Sequence, residues 1–293
     1  MPSLTARIMG FVLRKTGVFR KNYTGGILQE GIAKSRAAAP QLPTEKMKAR
    51  LDVSCEAFEG RDVWRIAPRA RAVKGHLLYF HGGGYVYPAV SVHWDFYAHL
   101  AEKHGLSVTA PLYPIAPEAS AADATEWAIR LYEDFTDRYS GRFVLGGDSA
   151  GGGLASVVAQ AARDRSLRQA DALLLVCPWL DASASNPEQL AIERRDSILT
   201  IGGIREAALL YARDLPIEDP RVSPIHGNWQ GLPPILAFGG GDDILVADAR
   251  ALKARLPAVD YVEEAGLMHD WPLFTLPESR KAQARIGSFV ANV

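Results

Sequence analysis

Several absences narrow the reading of this chain before any motif is considered. There are only two cysteines in 293 residues, Cys55 and Cys177, far apart and in apolar settings. No disulfide framework or metal-ligand spacing can be drawn from them, and two buried free thiols in a reducing cytoplasm are the expectation. There is no charge excess: 33 Lys and Arg stand against 33 Asp and Glu. The chain therefore has no overall field to gather nucleic acid or an anionic surface. No apolar run approaches the length of a membrane span. The N-terminal stretch MPSLTARIMGFVLRKTGVFRK is broken by Arg14 and Lys15 and is followed by no small-residue cleavage site, which argues against a secretory signal. No internal repeat or low-complexity tract stands out. What the chain does have is a 48 % hydrophobic content, enough for a sizeable core and too much for disorder.

Residues 1–50 differ from the rest, with ten Lys or Arg and only two acidic residues. Leu4, Ile8, Phe11, Val12, Val18 and Phe19 recur at helical spacing, giving one apolar face. Such a basic helix can lie on a membrane surface. Packing on the protein's own body is the commoner fate of an amphipathic helix, and it is the expectation here. From residue 51 two alternating segments, LDVSCEAF and DVWRIAP, flank a turn and read as a hairpin. After them, short apolar runs (GHLLYF, LSVTAPLY, RFVLGG, ALLLVCP, PILAFGG, VDYVEEA) alternate with helical stretches. This rhythm predicts about eight strands, mostly parallel, joined by crossover helices in an α/β fold. More than fifty residues with little strand signal separate ALLLVCP from PILAFGG, as expected of a helical insertion near a functional site.

The densest chemistry lies in VLGGDSAGGGLAS, residues 144–156. Gly147-Asp148-Ser149-Ala150-Gly151 fits G-x-S-x-G, placed where a strand ends and a helix begins. There a sharp reversal holds the serine hydroxyl exposed, and the glycines remove side chains that would clash. The new helix brings unpaired N–H groups and a partial positive charge. Upstream, His81-Gly82-Gly83-Gly84 follows another strand and can turn backbone donors toward an anion. Gly83, Gly84 and Ala150 are the candidate oxyanion donors, and His81 is read as a brace for the loop. No Lys or Arg lies nearby to make this a phosphate loop.

A serine hydroxyl needs a base. Of the seven histidines, only His269 follows the last strand in a loop, at the carboxyl edge where sites collect. His93, His99 and His104 read as surface or packing residues. The orienting carboxylate should follow the preceding strand, where Asp242, Asp243 and Asp248 are available. Asp248 fits a helix start, and physical reasoning leaves the adjacent pair open. The order serine, aspartate, histidine is that of the α/β-hydrolase fold.

Taken together, these segments resemble the hormone-sensitive-lipase-like family of α/β-hydrolase esterases. HGGGYV resembles its oxyanion motif and GDSAGGG its nucleophile elbow. YPIAPE (113–118), with Pro114 and Ile115 in place of the usual Arg-Leu, CPWLD (177–181), DPRVSP (219–224), DDILVADA and MHDW resemble further family segments. The similarity spans roughly residues 53 to 290. It implies an eight-stranded, mostly parallel sheet flanked by helices, and a triad of Ser149, Asp243 and His269. It also implies a helical cap built from residues 1–50 and about 182–218 over a catalytic domain of residues 51–293. Hydrolysis of short-chain acyl esters through an acyl-enzyme is the expected activity, with no metal or cofactor. An amidase, peptidase or lactonase on the same fold is the alternative. A non-catalytic receptor is a further one, although the related plant gibberellin receptors lack the triad histidine. Tyr85, Tyr87, Trp179 and Trp271, beside the motifs, are candidates for the substrate pocket, with ordinary core packing as their other reading. The expected partner is a small ester, not nucleic acid. Contact of the first helix with a membrane surface and self-association into a homodimer are further expectations.

Overall fold

The computed structural model describes residues 2–18, 20 and 27–293. Three helices precede the sheet: α1 (Leu4–Thr16), α2 (Leu28–Ala37) and α3 (Glu45–Arg50). The Ser3 hydroxyl accepts from Ala6 N at 3.2 Å to start α1, and Gly17, in the left-handed region, ends it. Thr44 caps α3 in the same manner as Ser3 caps α1.

Strands β1 (Leu51–Phe58) and β2 (Arg61–Pro68) form the hairpin, turning at Glu59 and Gly60, both with positive φ. The remaining strands are β3 (Gly75–Phe80), β4 (Leu106–Pro111), β5 (Phe143–Asp148), β6 (Ala172–Val176), β7 (Ile235–Gly240) and β8 (Asp260–Glu264). They lie in the order β1-β2-β4-β3-β5-β6-β7-β8, antiparallel at β1–β2 and β2–β4 and parallel beyond. Every residue of β5, β6 and β7 is buried, as continuous apolar strands covered on both faces must be. β1 is an edge strand and mostly solvent-facing. This corrects the expectation for Cys55, which is exposed; Cys177, at the end of β6, is buried.

Helices α4 (Ser91–His99), α5 (Ala121–Arg138), α6 (Ser149–Asp164), α9 (Val246–Arg255) and α10 (Pro277–Asn292) accompany the sheet. Between β6 and β7 the chain adds α7 (Pro187–Glu193) and α8 (Ile201–Ala212). α8 buries Ile204, Ala207, Ala208 and Tyr211 and touches α2, α5 and α7.

The first helix does not sit as expected. α1 turns Ala6 and Gly10 inward, with Met9 and Leu13 partly covered. Leu4, Ile8, Phe11 and Val12 are 70, 54, 55 and 47 % exposed. Small residues on the inward stripe let α1 lie close against Met268, and its large apolar residues then face outward. Val18 is exposed too, and Phe19 lies outside the described residues.

Candidate active site

Ser149 joins β5 to α6 at φ +51°, a left-handed conformation that costs a non-glycine residue about 1–3 kcal/mol. The turn holds because its neighbours are glycine. A Cβ at Gly147 would run into the backbone of Gly151, and one at Gly151 into the carbonyls of Phe80 and His81. Trp179 N donates to the Ser149 carbonyl at 2.9 Å, tying the elbow to the loop after β6.

His269 lies in the loop after β8, and its Nδ1 stands 2.9 Å from Asp243 Oδ2, in the turn after β7. Asp243 also accepts from Leu245 N at 2.8 Å, which fixes the carboxylate. Asp242, its sequence neighbour, points elsewhere and pairs with Arg195 at 2.9 Å. Asp248 is buried and accepts from Leu180 N and Asp181 N at 2.8 and 2.9 Å, holding the start of the insertion against α9. Burial works against a charged His269, but Asp243 and Asp270 outweigh it and hold the imidazole well above its usual value. Asp270 Oδ2 lies 3.1 Å from Nε2.

The loop of Gly82, Gly83 and Gly84 is pinned to the elbow. Gly82 N donates to Asp148 Oδ2 at 2.8 Å, and His93 Nε2 meets the same oxygen at 3.2 Å. Gly83 adopts φ +119°, open only to glycine at no cost, and its carbonyl accepts from Tyr87 N at 2.9 Å. Gly84 is buried beside it, and Ala150 is the second residue of α6. His81 is buried and stacked on Tyr113, with Nδ1 against the Gly82 carbonyl at 2.6 Å. Burial and neighbouring His93 push His81 down to about 4, so it stays neutral and braces the loop.

A cavity of about 440 Å³ opens over these groups. It is lined by Ser149, His269 and Gly83, by Val92, Ile198, Leu199, Leu273 and Phe274, and on the N-terminal side by Gly31, Lys34 and Ser35. Tyr87 is on its wall. Tyr85, Trp179 and Trp271 are not: Tyr85 stacks on Tyr211 at 3.7 Å and lies beside Trp179, while Trp271 packs edge-on to Phe238 and donates to Gly239 O. Those three are core residues, their motif neighbourhood notwithstanding.

Sequence reasoning passed over four polar residues here. His93, expected at the surface or in packing, is buried and borders the cavity. Asp148 was visible only as a lone charge closing an apolar strand. Asp196, in the insertion, accepts from Ile198, Leu199 and Ile244 N, each at 2.8 Å, so it couples the insertion to the turn carrying Asp243. Burial, with Asp243 close by, pushes its carboxyl up to about 7. Asp270 is the fourth. Cys177, Asp243 and His269 bring three ligand-capable atoms within 4.8 Å, but the Asp243–His269 bond occupies two of the groups and burial pushes the thiol up, away from the thiolate a metal needs.

An elbow serine, a carboxylate-backed histidine and a donor loop, set at the carboxyl edge of one mostly parallel sheet, define an α/β hydrolase. A family model described as the alpha/beta hydrolase fold matches residues 77–273, and the chain belongs to that family. LipR of Mycobacterium tuberculosis, a proposed acetyl-hydrolase, is 35 % identical over 242 residues, covering 79 % of this chain and 78 % of LipR. An acetyl-hydrolase of Streptomyces hygroscopicus is 33 % identical over 223 residues, 73 % of this chain and 74 % of the relative. Among solved structures, an esterase from the bacterial hormone-sensitive lipase family superposes with a TM-score of 0.77 at 29 % identity, covering 89 % of this chain and 95 % of that one.

Proposed function

We propose that this protein is a serine carboxylesterase that cleaves short-chain acyl esters through an acyl-enzyme. One observation carries the reading: Ser149 and His269 open on the same cavity, with Asp243 2.9 Å behind His269 Nδ1. His269 Nε2 takes the proton of Ser149 as the hydroxyl attacks the ester carbonyl. Asp243 holds the tautomer and stabilises the imidazolium. Backbone N–H groups of Gly83, Gly84 and Ala150 receive the oxyanion, where one donor is worth ~3 kcal/mol. His269 then gives the proton to the departing alcohol. A water, deprotonated by the same nitrogen, releases the acid.

The apolar wall of Val92, Ile198, Leu199, Leu273 and Phe274 suits a small acyl chain. Relatives named acetyl-hydrolase, and an ethyl acetate hydrolase of Pseudomonas putida, agree with that size. Residues 1–50 and about 182–218 act as the cap over a catalytic domain of 51–293; Lys34, Ser35, Ile198 and Leu199 on the cavity wall support this. A series of p-nitrophenyl esters from acetate to decanoate, run beside Ser149→Ala, tests the reading. Turnover should peak at short chains and vanish in the variant. Near-wild-type turnover by Ser149→Ala would overturn it, and faster cleavage of matched amides or lactones would redirect it.

The same reading includes a cytoplasmic location, which the free thiols of Cys55 and Cys177 suit. Among the described residues no helix is long and apolar enough to cross a membrane. An anionic lipid surface is the partner we assign to α1, because Arg7, Arg14 and Lys15 accompany its exposed apolar face. Co-sedimentation with phosphatidylglycerol vesicles, with and without residues 2–18, tests that assignment. A concentration-dependent dimer that disappears with the same deletion, without vesicle binding, would assign the face to a second copy instead.

A further inference from the structure

His269 is flanked by two carboxylates. Asp243 meets Nδ1 at 2.9 Å and Asp270 meets Nε2 at 3.1 Å. Nδ1 is where a triad aspartate belongs. Nε2 is the nitrogen that must be free of a proton, and directed at Ser149, for the histidine to act as a base. An ionised carboxylate accepts and cannot donate, so Nε2 carries a proton whenever it is paired with ionised Asp270. With both nitrogens protonated the ring is an imidazolium, well matched to its two neighbours and unable to deprotonate serine.

Asp270 is built into this position. It adopts a left-handed conformation at φ +53°, which directs the residue right after His269 back along the cavity wall. Its side chain is mostly buried, and its second oxygen, Oδ1, is buried without a hydrogen-bond partner. A buried carboxylate oxygen left unpaired is costly, so Asp270 has little else to hold it against His269 than the ion pair itself. Burial, with Asp148 and Asp243 nearby, raises its carboxyl to about 6, and the facing imidazolium offsets only part of that rise.

The other groups facing this pair come from separate elements. Cys177 approaches His269 from the end of β6. Asp148, from the end of β5, His93, from α4, and Tyr79, from β3, face Asp270. Asp148 Oδ2 is engaged by Gly82 N and His93 Nε2, while the 3.1 Å contact to His269 Nε2 is made by Asp270.

We propose that Asp270 is a positioning residue that competes with the Ser149 hydroxyl for Nε2 of His269, so that each catalytic cycle begins with the imidazole exchanging one partner for the other. This rests on the reading of His269 as the base. While Nε2 is paired with Asp270 the ring stays charged. The exchange releases one proton from Nε2 to solvent and leaves the ring neutral, its Nδ1–H still on Asp243. Ser149 can then donate to the bare nitrogen. Asp270 therefore sets the pH at which the free enzyme becomes competent.

The test is the pH profile of kcat/KM, whose acid limb reports the base in the free enzyme. Asp270→Asn removes the charge and keeps the shape. Its acid limb should move to lower pH by about 1 unit, the shift expected when an opposite charge within contact distance is lost. The plateau at high pH, where wild-type His269 is already neutral, should stay within about threefold. Asp270→Ser, run in parallel, should move the limb the same way, and covers the case in which one variant folds poorly. Asp270→Glu should restore part of the wild-type limb. A limb unmoved in the folded variants, or a uniform loss of rate at every pH, overturns the proposal. His269→Ala separates the two readings: if it remains active, the base assignment fails. If it is dead while the Asp270 variants keep the wild-type limb, only the role of Asp270 fails.

Discussion

Two regions of this molecule treat solvent in opposite ways. At the carboxyl edge of the sheet, charged side chains are buried and matched: Asp243 with His269, Asp148 with Gly82 N and His93, Asp196 with three backbone N–H groups. On α1, four large apolar side chains stand in water while alanine and glycine take the inward stripe. Apart from Asp148 Oδ1 and Asp270 Oδ1, these desolvated groups are held by strong partners, an arrangement expected where chemistry must be preorganised. The helix leaves exposed an apolar strip that folding of this chain does not need. Loss of function should therefore be steep at the rim and nearly flat along α1.

The largest effect is expected at Ser149, the proposed nucleophile. Ser149→Ala should lower kcat/KM for p-nitrophenyl butyrate by ~10⁴-fold or more, read by initial rates on folded protein. Next comes the aspartate pair, which sharpens the contrast within the rim itself. Asp243→Asn should cost ~10³–10⁴-fold by disturbing the tautomer of His269, whereas Asp242→Asn removes only a partly exposed ion pair with Arg195 and should cost less than about threefold. Gly83→Ala places a side chain at φ +119° in the donor loop and should lower kcat by ~10²-fold with a smaller change in KM. Asp196→Asn turns an amide toward backbone donors that need an acceptor. It should lower stability by about 1–3 kcal/mol in urea unfolding, together with a modest loss of rate. At the other extreme, Ile8→Asp with Phe11→Asp should leave turnover of soluble esters unchanged while reducing sedimentation with anionic vesicles. A large loss of soluble activity in that pair would erase the contrast between the two regions.

The same contrast explains what could be read from the chain alone. Turns at strand ends are local objects: Gly147, Gly151 and Gly83 are needed for steric reasons that act over a few residues, so the sharp turn at Ser149 and the glycine loop beside it are legible in the sequence. The eight strands were legible because buried parallel strands are continuous apolar runs. The choice of Asp243 over Asp242 came from resemblance, since two adjacent carboxylates differ only in which way the turn points them. The role of His93 was hidden because its partner, Asp148, lies 55 residues away and only the fold brings them together. Tyr85, Trp179 and Trp271 were drawn toward the pocket by their place beside motifs, yet aromatic stacking with Tyr211 and Phe238 claims them for the core. The facing of α1 is not legible in the sequence, because spacing identifies an apolar face but not whether a partner surface exists to cover it. There the inward contact is made by small residues, which no amphipathic pattern picks out.

Ser149 Oγ is the atom proposed to carry the acyl group. Labelling with a serine-directed fluorophosphonate, followed by intact-mass and peptide analysis alongside residual activity, addresses it most directly. The account predicts one adduct per chain, on the peptide holding Ser149, formed in step with loss of ester turnover. An adduct confined to another residue, or full turnover by protein labelled at Ser149, would contradict it.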